Sequence, residues 1–396
     1  GVGPRVYTIG GFMRAKPRIL VVYGTRPEAI KLAPVIGALR DDSRHDCIVV
    51  SSGQHREMIL PVEEWFGIEP DFRLGVMKDK QGLNSMVAKL LADFNDIFET
   101  EKPDFVMVQG DTSTALAGAL AAFHLQIPVA HLEAGLRTGD LSSPFPEEGN
   151  RKLIGQISSL HLAPTPNARE NLLKEGIPAG LINTVGNTVI DALQQTFHRF
   201  GVIEDPWLTE LVESGKRIVL VTTHRRENLN FMAEIALALR ELAERYLNTE
   251  FVLPLHLNPA VRQQIVPVLQ GLPNVRICNP LDYPTFVALM KNSYLVLTDS
   301  GGVQEEAPSF GKPVLVMRNT SERGEGISQG LVKLVGTSSE NIVAEVSRLL
   351  ESHEYYGSVS SSKNPYGDGK ASLRTVAAIS AYLGTGVAMP DFAPNS

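Results

Sequence analysis

Two cysteines in 396 residues, Cys47 and Cys278, far apart in sequence, give neither a disulfide framework nor a metal-binding spacing. Their scarcity fits a reducing cytoplasm. Long apolar runs are missing too: none reaches the ~18 residues of a membrane-spanning helix, so nothing is expected to cross a bilayer. The chain has no basic excess and no basic run. Its 37 Lys and Arg against 44 Asp and Glu leave a net charge of −7, which argues against nucleic acid or an anionic membrane as partner. Several cofactor motifs are absent as well. No G-x-G-x-x-G follows a strand pattern, Gly311-Lys312-Pro313 lacks the Walker spacing and its Ser/Thr, and neither H-E-x-x-H nor D-x-D occurs. His256 has no partner at ligand spacing. We therefore expect no metal site and no bound cofactor.

What the chain does have is apolar content, 43% of residues, enough for a large core and about two domains. Short apolar runs alternate with helical patterns. Strands are expected at Ile19–Tyr23, Cys47–Ser51, Phe105–Gln109, Pro128–Leu132 and Leu160–Ala163, with helices at Arg26–Arg40, Met58–Phe66, Asn84–Thr100, Thr112–Phe123 and Asn167–Glu175. The alternation pauses near Gly186–Trp207. It restarts with strands at Arg217–Thr222, Phe251–Leu255, Val275–Cys278, Leu295–Thr298 and Pro313–Val316, and a final helix runs from about Ser372 to Leu383. Near-continuous apolar strands separated by helices mean parallel sheets covered on both faces. The expected fold class is α/β, two doubly wound Rossmann-like domains with ligand loops at the strand carboxyl ends and the active site between the domains. Residues 1–16 read as a disordered N-terminal extension, 17–186 as the first domain and 187–370 as the second. Residues 371–396 read as a helix and tail that pack back on the first.

Within that frame, Leu295-Val296-Leu297-Thr298-Asp299-Ser300-Gly301-Gly302 is the most informative stretch. An apolar strand that turns through two glycines into a helix aims free backbone N–H groups at one spot, and Ser300 adds a hydroxyl. That arrangement suits a phosphate; the competing reading is an ordinary loop with Ser300 as helix cap. Glu306, one turn on, can reach a ribose diol. In Gly24-Thr25-Arg26-Pro27-Glu28-Ala29-Ile30-Lys31, Thr25 and Glu28 form a capping box, so Glu28 reads as structural. Arg26 and Lys31 stand near a helix amino end, where cations are disfavoured unless an anion sits nearby. Asp111, Glu133 and Glu147 each follow a strand or open a helix. Taken singly, Asp111 reads as an N-cap and Glu147 or Glu148 as a first-turn acid, whereas Glu133 at the end of a buried strand has no obvious structural use. Three such acids together suggest acid/base chemistry. His224, at a strand end beside Arg225 and Arg226, suits a diphosphate.

Gly24–Lys31, His131-Leu132-Glu133-Ala134-Gly135-Leu136-Arg137-Thr138, Pro146-Glu147-Glu148 with Asn150-Arg151, Thr223-His224-Arg225-Arg226-Glu227-Asn228 and Asp299–Gly302 together resemble one family. It is the bacterial non-hydrolysing UDP-N-acetylglucosamine 2-epimerases, and the resemblance runs from about Ile19 to the final helix. It implies a glycosyltransferase-B-like fold closing over UDP-GlcNAc, with UDP-ManNAc as product and precursor of surface polysaccharide. It also implies a homodimer. Carried onto this chain, the catalytic set is Asp111, Glu133, Glu147 and His224. The UDP and sugar contacts fall on Arg26, Lys31, Phe286, Ser300, Gly301, Gly302 and Glu306. Two departures stand out: Phe145 where the family often has Trp, and Gly324 where it often has Pro, which loosens the Ser321–Glu325 loop. The stretch Gly53–Met58 resembles one that some members use to bind a second UDP-GlcNAc as activator, through Gln54 and His55 here. Those members often have Gln at Glu57, so regulation stays open. Competing readings are a glycosyltransferase of the same fold, a hydrolysing epimerase and a catalytically silent UDP-sugar sensor; three intact acids argue against the last.

Overall fold

The computed structural model describes residues 16–75, 81–199, 205–360 and 364–394, so the first fifteen residues of the expected extension lie outside it. The chain packs as two compact units. One holds the residues up to Ala192 and those from Tyr366 onward; the other is Leu193–Pro365.

Among the described residues the first unit carries seven strands: β1 (Arg18–Tyr23), β2 (Asp46–Ser51), β3 (Phe72–Arg73), β4 (Phe105–Gln109), β5 (Val129–Leu132), β6 (Leu160–Ala163) and β7 (Ile182–Thr184). Every pair is parallel, in the order β3-β2-β1-β4-β5-β6-β7. The order reverses between β1 and β4, and that switch point is where open α/β sheets bind ligands. Its main helices are α1 (Arg26–Asp41), α2 (Arg56–Phe66), α3 (Leu83–Glu101), α4 (Ser113–His124), α5 (Glu147–Ile157) and α6 (Pro166–Lys174), while α7 (Thr188–Arg199) begins in this unit and ends in the second. Leu20, Val22, Val106 and Val108 of the central strands are fully buried against Phe94 and Phe98 of α3. The alanine-rich α4 lies closer still. A Cβ on its Gly118 would sit 3.0 Å from Val22 and 3.2 Å from Val108, tighter than ordinary packing, so a side chain there would press on the sheet.

The second unit repeats the plan with β8 (Arg217–Thr222), β9 (Thr249–Pro254), β10 (Val275–Cys278), β11 (Leu295–Thr298), β12 (Val314–Val316) and β13 (Val332–Leu334). Its order is β10-β9-β8-β11-β12-β13, again all parallel, with the switch point between β8 and β11. The doubly wound α/β class expected from the apolar alternation is the one found. Strands β3, β7 and β13, two or three residues each, carry too little apolar sequence to announce themselves. Where the strand pattern pauses, near 186–207, the chain forms α7 and, opened by Asp205 and Pro206, the helix Pro206–Glu213. The carboxylate of Asp191 in α7 accepts from the amides of Ala371 (3.2 Å) and Ser372 (2.8 Å), capping the helix Ala371–Tyr382, which packs on α1. Among the described residues no helix is long and apolar enough to cross a membrane.

Two buried histidines face each other in register on β5 and β6, His131 and His161. Burial is the largest cause pushing His131 down to about 3 and His161 to about 4. The unfolded chain takes up these protons near pH 6.5, so between there and pH 3–4 it binds more protons than the native state. Their contribution to stability is complete above pH 6.5 and is lost as the pH falls. Urea midpoints should therefore decline on acidification from pH 6.5 to 4.5. His161→Phe should flatten that decline; an unchanged slope would remove His161 from the acid response.

Candidate active site

At the first switch point, the loop after β1 meets the loop after β4. Buried Glu28 joins them: it accepts from the amides of Gly24 (3.0 Å) and Thr25 (2.7 Å), the Thr25 hydroxyl (2.7 Å) and, across the gap, the Thr112 hydroxyl (2.7 Å). Burial outweighs these four donors and raises its pKa to about 7. The structural reading of Glu28 is thus extended, because it also fastens the loop that carries Asp111. Gly24 is needed for this close approach. A Cβ there would lie 2.2 Å from Ser52 Oγ and 2.4 Å from Thr114 Oγ1.

Asp111 is not the helix cap. Thr112 takes that place, its hydroxyl accepting from the Ala115 amide at 3.0 Å. The Asp111 carboxylate pairs instead with Arg151, at 3.0 Å from Nε and 2.9 Å from Nη2, and its carbonyl accepts from Asn150 Nδ2 at 2.8 Å. Both partners lie on α5, so the helix opened by Glu147 is tied to the end of β4. Glu147 and Glu148 then separate in role. Glu148 is fully buried and accepts from the amides of Thr138 (2.7 Å) and Gly139 (2.6 Å), which makes it a loop brace. Glu147 holds an enclosed carboxylate oxygen, Oε2, that accepts no hydrogen bond among the described residues.

Glu133 follows β5 with φ = 63°, a left-handed backbone that non-glycine residues seldom adopt. Its Oε2 accepts from Lys31 Nζ and from Gln109 Nε2 (3.1 Å). The anion that the position of Lys31 implied is therefore a carboxylate of the protein itself. The expectation that Glu133 has no structural use is corrected by the same pair, whose side chains are 8% and 9% exposed. His131 Nε2 contacts the Gly110 carbonyl at 2.8 Å and steadies the turn into Asp111. Asp111, held by Arg151, and Glu133, held by Lys31 and Gln109, thus follow the adjacent strands β4 and β5, and Glu147 heads α5, the helix bonded to Asp111. Arg26, half-buried, opens α1 beside them. Of the two candidate activator contacts, Gln54 accepts from the Thr114 hydroxyl at 2.9 Å and so belongs to the bracing around Gly24, while His55 caps α2 and is exposed.

At the second switch point, Thr222 and Thr298 join β8 and β11 through their hydroxyls at 2.5 Å. Asp299, completely buried, accepts from the Thr223 hydroxyl (3.0 Å), the amides of His224 (3.1 Å) and Arg225 (3.1 Å), and Asn228 Nδ2 (3.2 Å). His224 projects outward, its side chain 48% exposed, with Nδ1 3.5 Å from Asp299. Ser300 occupies the N-cap position of the helix Gly301–Glu306, yet its side chain makes no capping hydrogen bond. One expectation fails here: the Ser300 amide is already donated to Thr298 Oγ1 at 3.0 Å, so it is not one of the amides offered to a phosphate. The amides of Gly301 and Gly302 head the helix, where no intrahelical acceptor exists for them.

The two glycines face different ways. A Cβ on Gly301 would lie 2.6–2.9 Å from the guanidinium of Arg323, whereas one on Gly302 would meet only Glu306 Oε1 at 3.4 Å and Ser300 Oγ at 3.9 Å. Gly302, Ser300 and Glu306 therefore share one face. Arg323 lies on the other, paired with Glu305 at 2.7 Å and with Glu322. The Ser321–Glu325 loop is pinned by this pairing and by Ser321 Oγ donating to Gln304 at 2.8 Å, so Gly324 does not leave it loose. Phe286 is half-buried on the helix Tyr283–Asn292. Four residues in these two sites carry parts that motif reading did not assign: Gln109, Arg151, Asp299 and Arg323. The partners of Arg151 and Gln109 lie far off in sequence: Asp111 is 40 residues from Arg151, and Glu133 is 24 from Gln109.

Comparison with known proteins gives one consistent picture. The family model for UDP-N-acetylglucosamine 2-epimerase matches residues 37–380. The UDP-N-acetylglucosamine 2-epimerase of Salmonella typhimurium is 48% identical over 372 residues, 92% of this chain and 99% of that one. Among solved structures, UDP-GlcNAc 2-epimerase from Neisseria meningitidis bound to UDP-GlcNAc is 44% identical with a TM-score of 0.86, covering 91% of this chain and 98% of that one. The S. aureus MnaA–UDP co-structure is 42% identical with a TM-score of 0.90, covering 95% and 100%.

Proposed function

The chain belongs to the UDP-N-acetylglucosamine 2-epimerase family, and from that premise we propose that it interconverts UDP-GlcNAc and UDP-ManNAc by eliminating and re-adding UDP. The C2 proton of the sugar is not adjacent to a carbonyl, so direct abstraction is costly. Cleavage of the C1–O bond sends its electron pair to UDP and builds positive charge on the ring. A carboxylate then takes the C2 proton, and the C2–H electrons form the C1=C2 bond of 2-acetamidoglucal. Delivery of a proton to the other face of C2, with return of UDP to C1, completes the inversion.

The observation that supports this reading is that Asp111 and Glu133 follow adjacent strands and Glu147 heads the helix bonded to Asp111, with Asp111 on Arg151, Glu133 on Lys31 and one Glu147 oxygen unclaimed among the described residues. Proton removal on one face and delivery on the other require more than one carboxylate. We assign the departing UDP to the second unit: Ser300 Oγ, the amides of Gly301 and Gly302 and His224 to the diphosphate, Glu306 to the ribose and Phe286 to the uracil. In the first unit Lys31 holds Glu133, and Arg26 at the head of α1 is a further candidate anion contact. These donors act where leaving-group charge develops. A cytoplasmic homodimer supplying a surface-polysaccharide precursor completes the proposal, with activation through Gln54 and His55 as its regulatory branch.

Incubation with UDP-GlcNAc in D2O, followed by NMR, tests the reaction. UDP-ManNAc carrying deuterium at C2 is expected without added metal or nicotinamide, with the gluco form favoured because an axial 2-acetamido group is more crowded. UDP and free sugar as sole products would mean a hydrolase. Turnover only after an acceptor is added would mean a transferase.

A further inference from the structure

We propose that Asp299 is the positioning residue of the second unit, orienting the His224 imidazole through Nδ1 and locking the His224–Arg225 backbone to the loop that carries Ser300. This rests on the epimerase reading for what the imidazole then does, but the orienting role stands on geometry alone. The carboxylate has no exposed surface, lies at the switch point between β8 and β11, and gathers donors from the whole neighbouring loop: one hydroxyl, two successive amides and the Asn228 side chain. The next residue in sequence is Ser300, whose hydroxyl lies on the same side of the helix start as Gly302 and Glu306. One rigid group therefore sets the distance between the imidazole and the Ser300–Gly302 turn.

A loop brace alone would not need a charge. An asparagine or serine oxygen at a strand end can accept from a pair of amides, and burying an ionised carboxylate costs free energy unless each oxygen is well served. What a neutral brace lacks is the electrostatic demand on Nδ1, 3.5 Å away. A carboxylate there calls for a proton on Nδ1, and the partner of one ring nitrogen decides what the other can do. Nε2, on the opposite side of the ring, donates to the bound diphosphate in the imidazolium form, which a carboxylate on one side and a phosphate on the other both favour. Asp299 touches no substrate in this scheme and acts only through His224 and the loop.

Two measurements test it, and the first needs no substitution. In wild-type enzyme with 15N-labelled histidine, the His224 resonances, assigned by their loss in His224→Gln, should show a proton on Nδ1, with and without UDP. A bare Nδ1 overturns the proposal whether or not the protein epimerises UDP-GlcNAc. The second is a double-mutant cycle on kcat/KM. Asp299→Asn should lower it roughly 10–100-fold, the size seen when the partner of a functional histidine is removed. In a His224→Gln background the same change should cost only about threefold or less, because interacting residues are not additive. Equal losses in both backgrounds would make Asp299 a loop brace and overturn the proposal. If Asp299→Asn unfolds, the nitrogen spectrum decides. If the wild type does not turn over, the epimerase reading falls while the spectrum still reports on Asp299.

Discussion

Gly302→Val is expected to leave the protein folded and unable to bind UDP. Gly302 has no left-handed φ to preserve, and a Cβ there meets nothing closer than Glu306 Oε1 at 3.4 Å. The reason for glycine at this position is therefore not the turn. A valine would place its methyls between Ser300 Oγ and the Glu306 carboxylate, in the space assigned to the phosphates and ribose. Gly301 makes the opposite case, since its missing side chain leaves room for the buried Arg323 guanidinium. Gly301→Ala should thus lower the melting temperature, and Gly302→Val should not. Ser300→Ala should cost only about 0.5–1.5 kcal/mol of UDP binding, one hydroxyl hydrogen bond, or more if phosphate charge strengthens it. Glu306→Gln should weaken UDP while sparing inorganic pyrophosphate, which has no ribose. Calorimetric titration of these variants with UDP and with pyrophosphate, beside thermal melts, checks the set. Wild-type UDP affinity in a folded Gly302→Val protein would reduce the loop to a helix start.

The parts of this architecture that could be read from sequence are those with a local cause. Runs such as Ile19–Tyr23 and Leu295–Leu297 are buried on both faces of a parallel sheet, so they are apolar without interruption. Thr25 and Glu28 are three residues apart because a helix start requires that spacing. The partners across the sheet were not legible. Lys31 and Glu133 are 102 residues apart, and nothing local to either says that one neutralises the other. The same holds for Asp111 and Arg151, and for Asp299 and the His224 loop 75 residues earlier. Local sequence alone points to a helix cap at Asp111 and a free amide at Ser300. Both failed because a neighbouring threonine, Thr112 in one case and Thr298 in the other, already supplied the oxygen.

The three carboxylates should separate by stability while agreeing in catalysis. Glu133→Gln, Asp111→Asn and Glu147→Gln should each lower kcat by roughly 10²-fold or more, the size expected for a positioned acid or base. UDP affinity should change little, because the nucleotide contacts are assigned to other residues. Stability should follow the partners. Glu133→Gln leaves Lys31, only 8% exposed, without its carboxylate, and breaking a buried pair from one side costs about 3–5 kcal/mol. Asp111→Asn weakens a pair whose carboxylate is 26% exposed, so solvent screening makes its loss smaller. Glu147→Gln removes charge from an oxygen that no described protein group claims, and should be neutral or slightly stabilising. Urea denaturation should therefore rank Glu147→Gln above Asp111→Asn above Glu133→Gln, while all three lose deuterium exchange at C2. A variant whose kcat stays within a few-fold of wild type leaves the catalytic set. If Glu147→Gln instead proves the least stable of the three, its carboxylate belongs to the framework, as Glu148 does, and the second face of the sugar must be served by another acid.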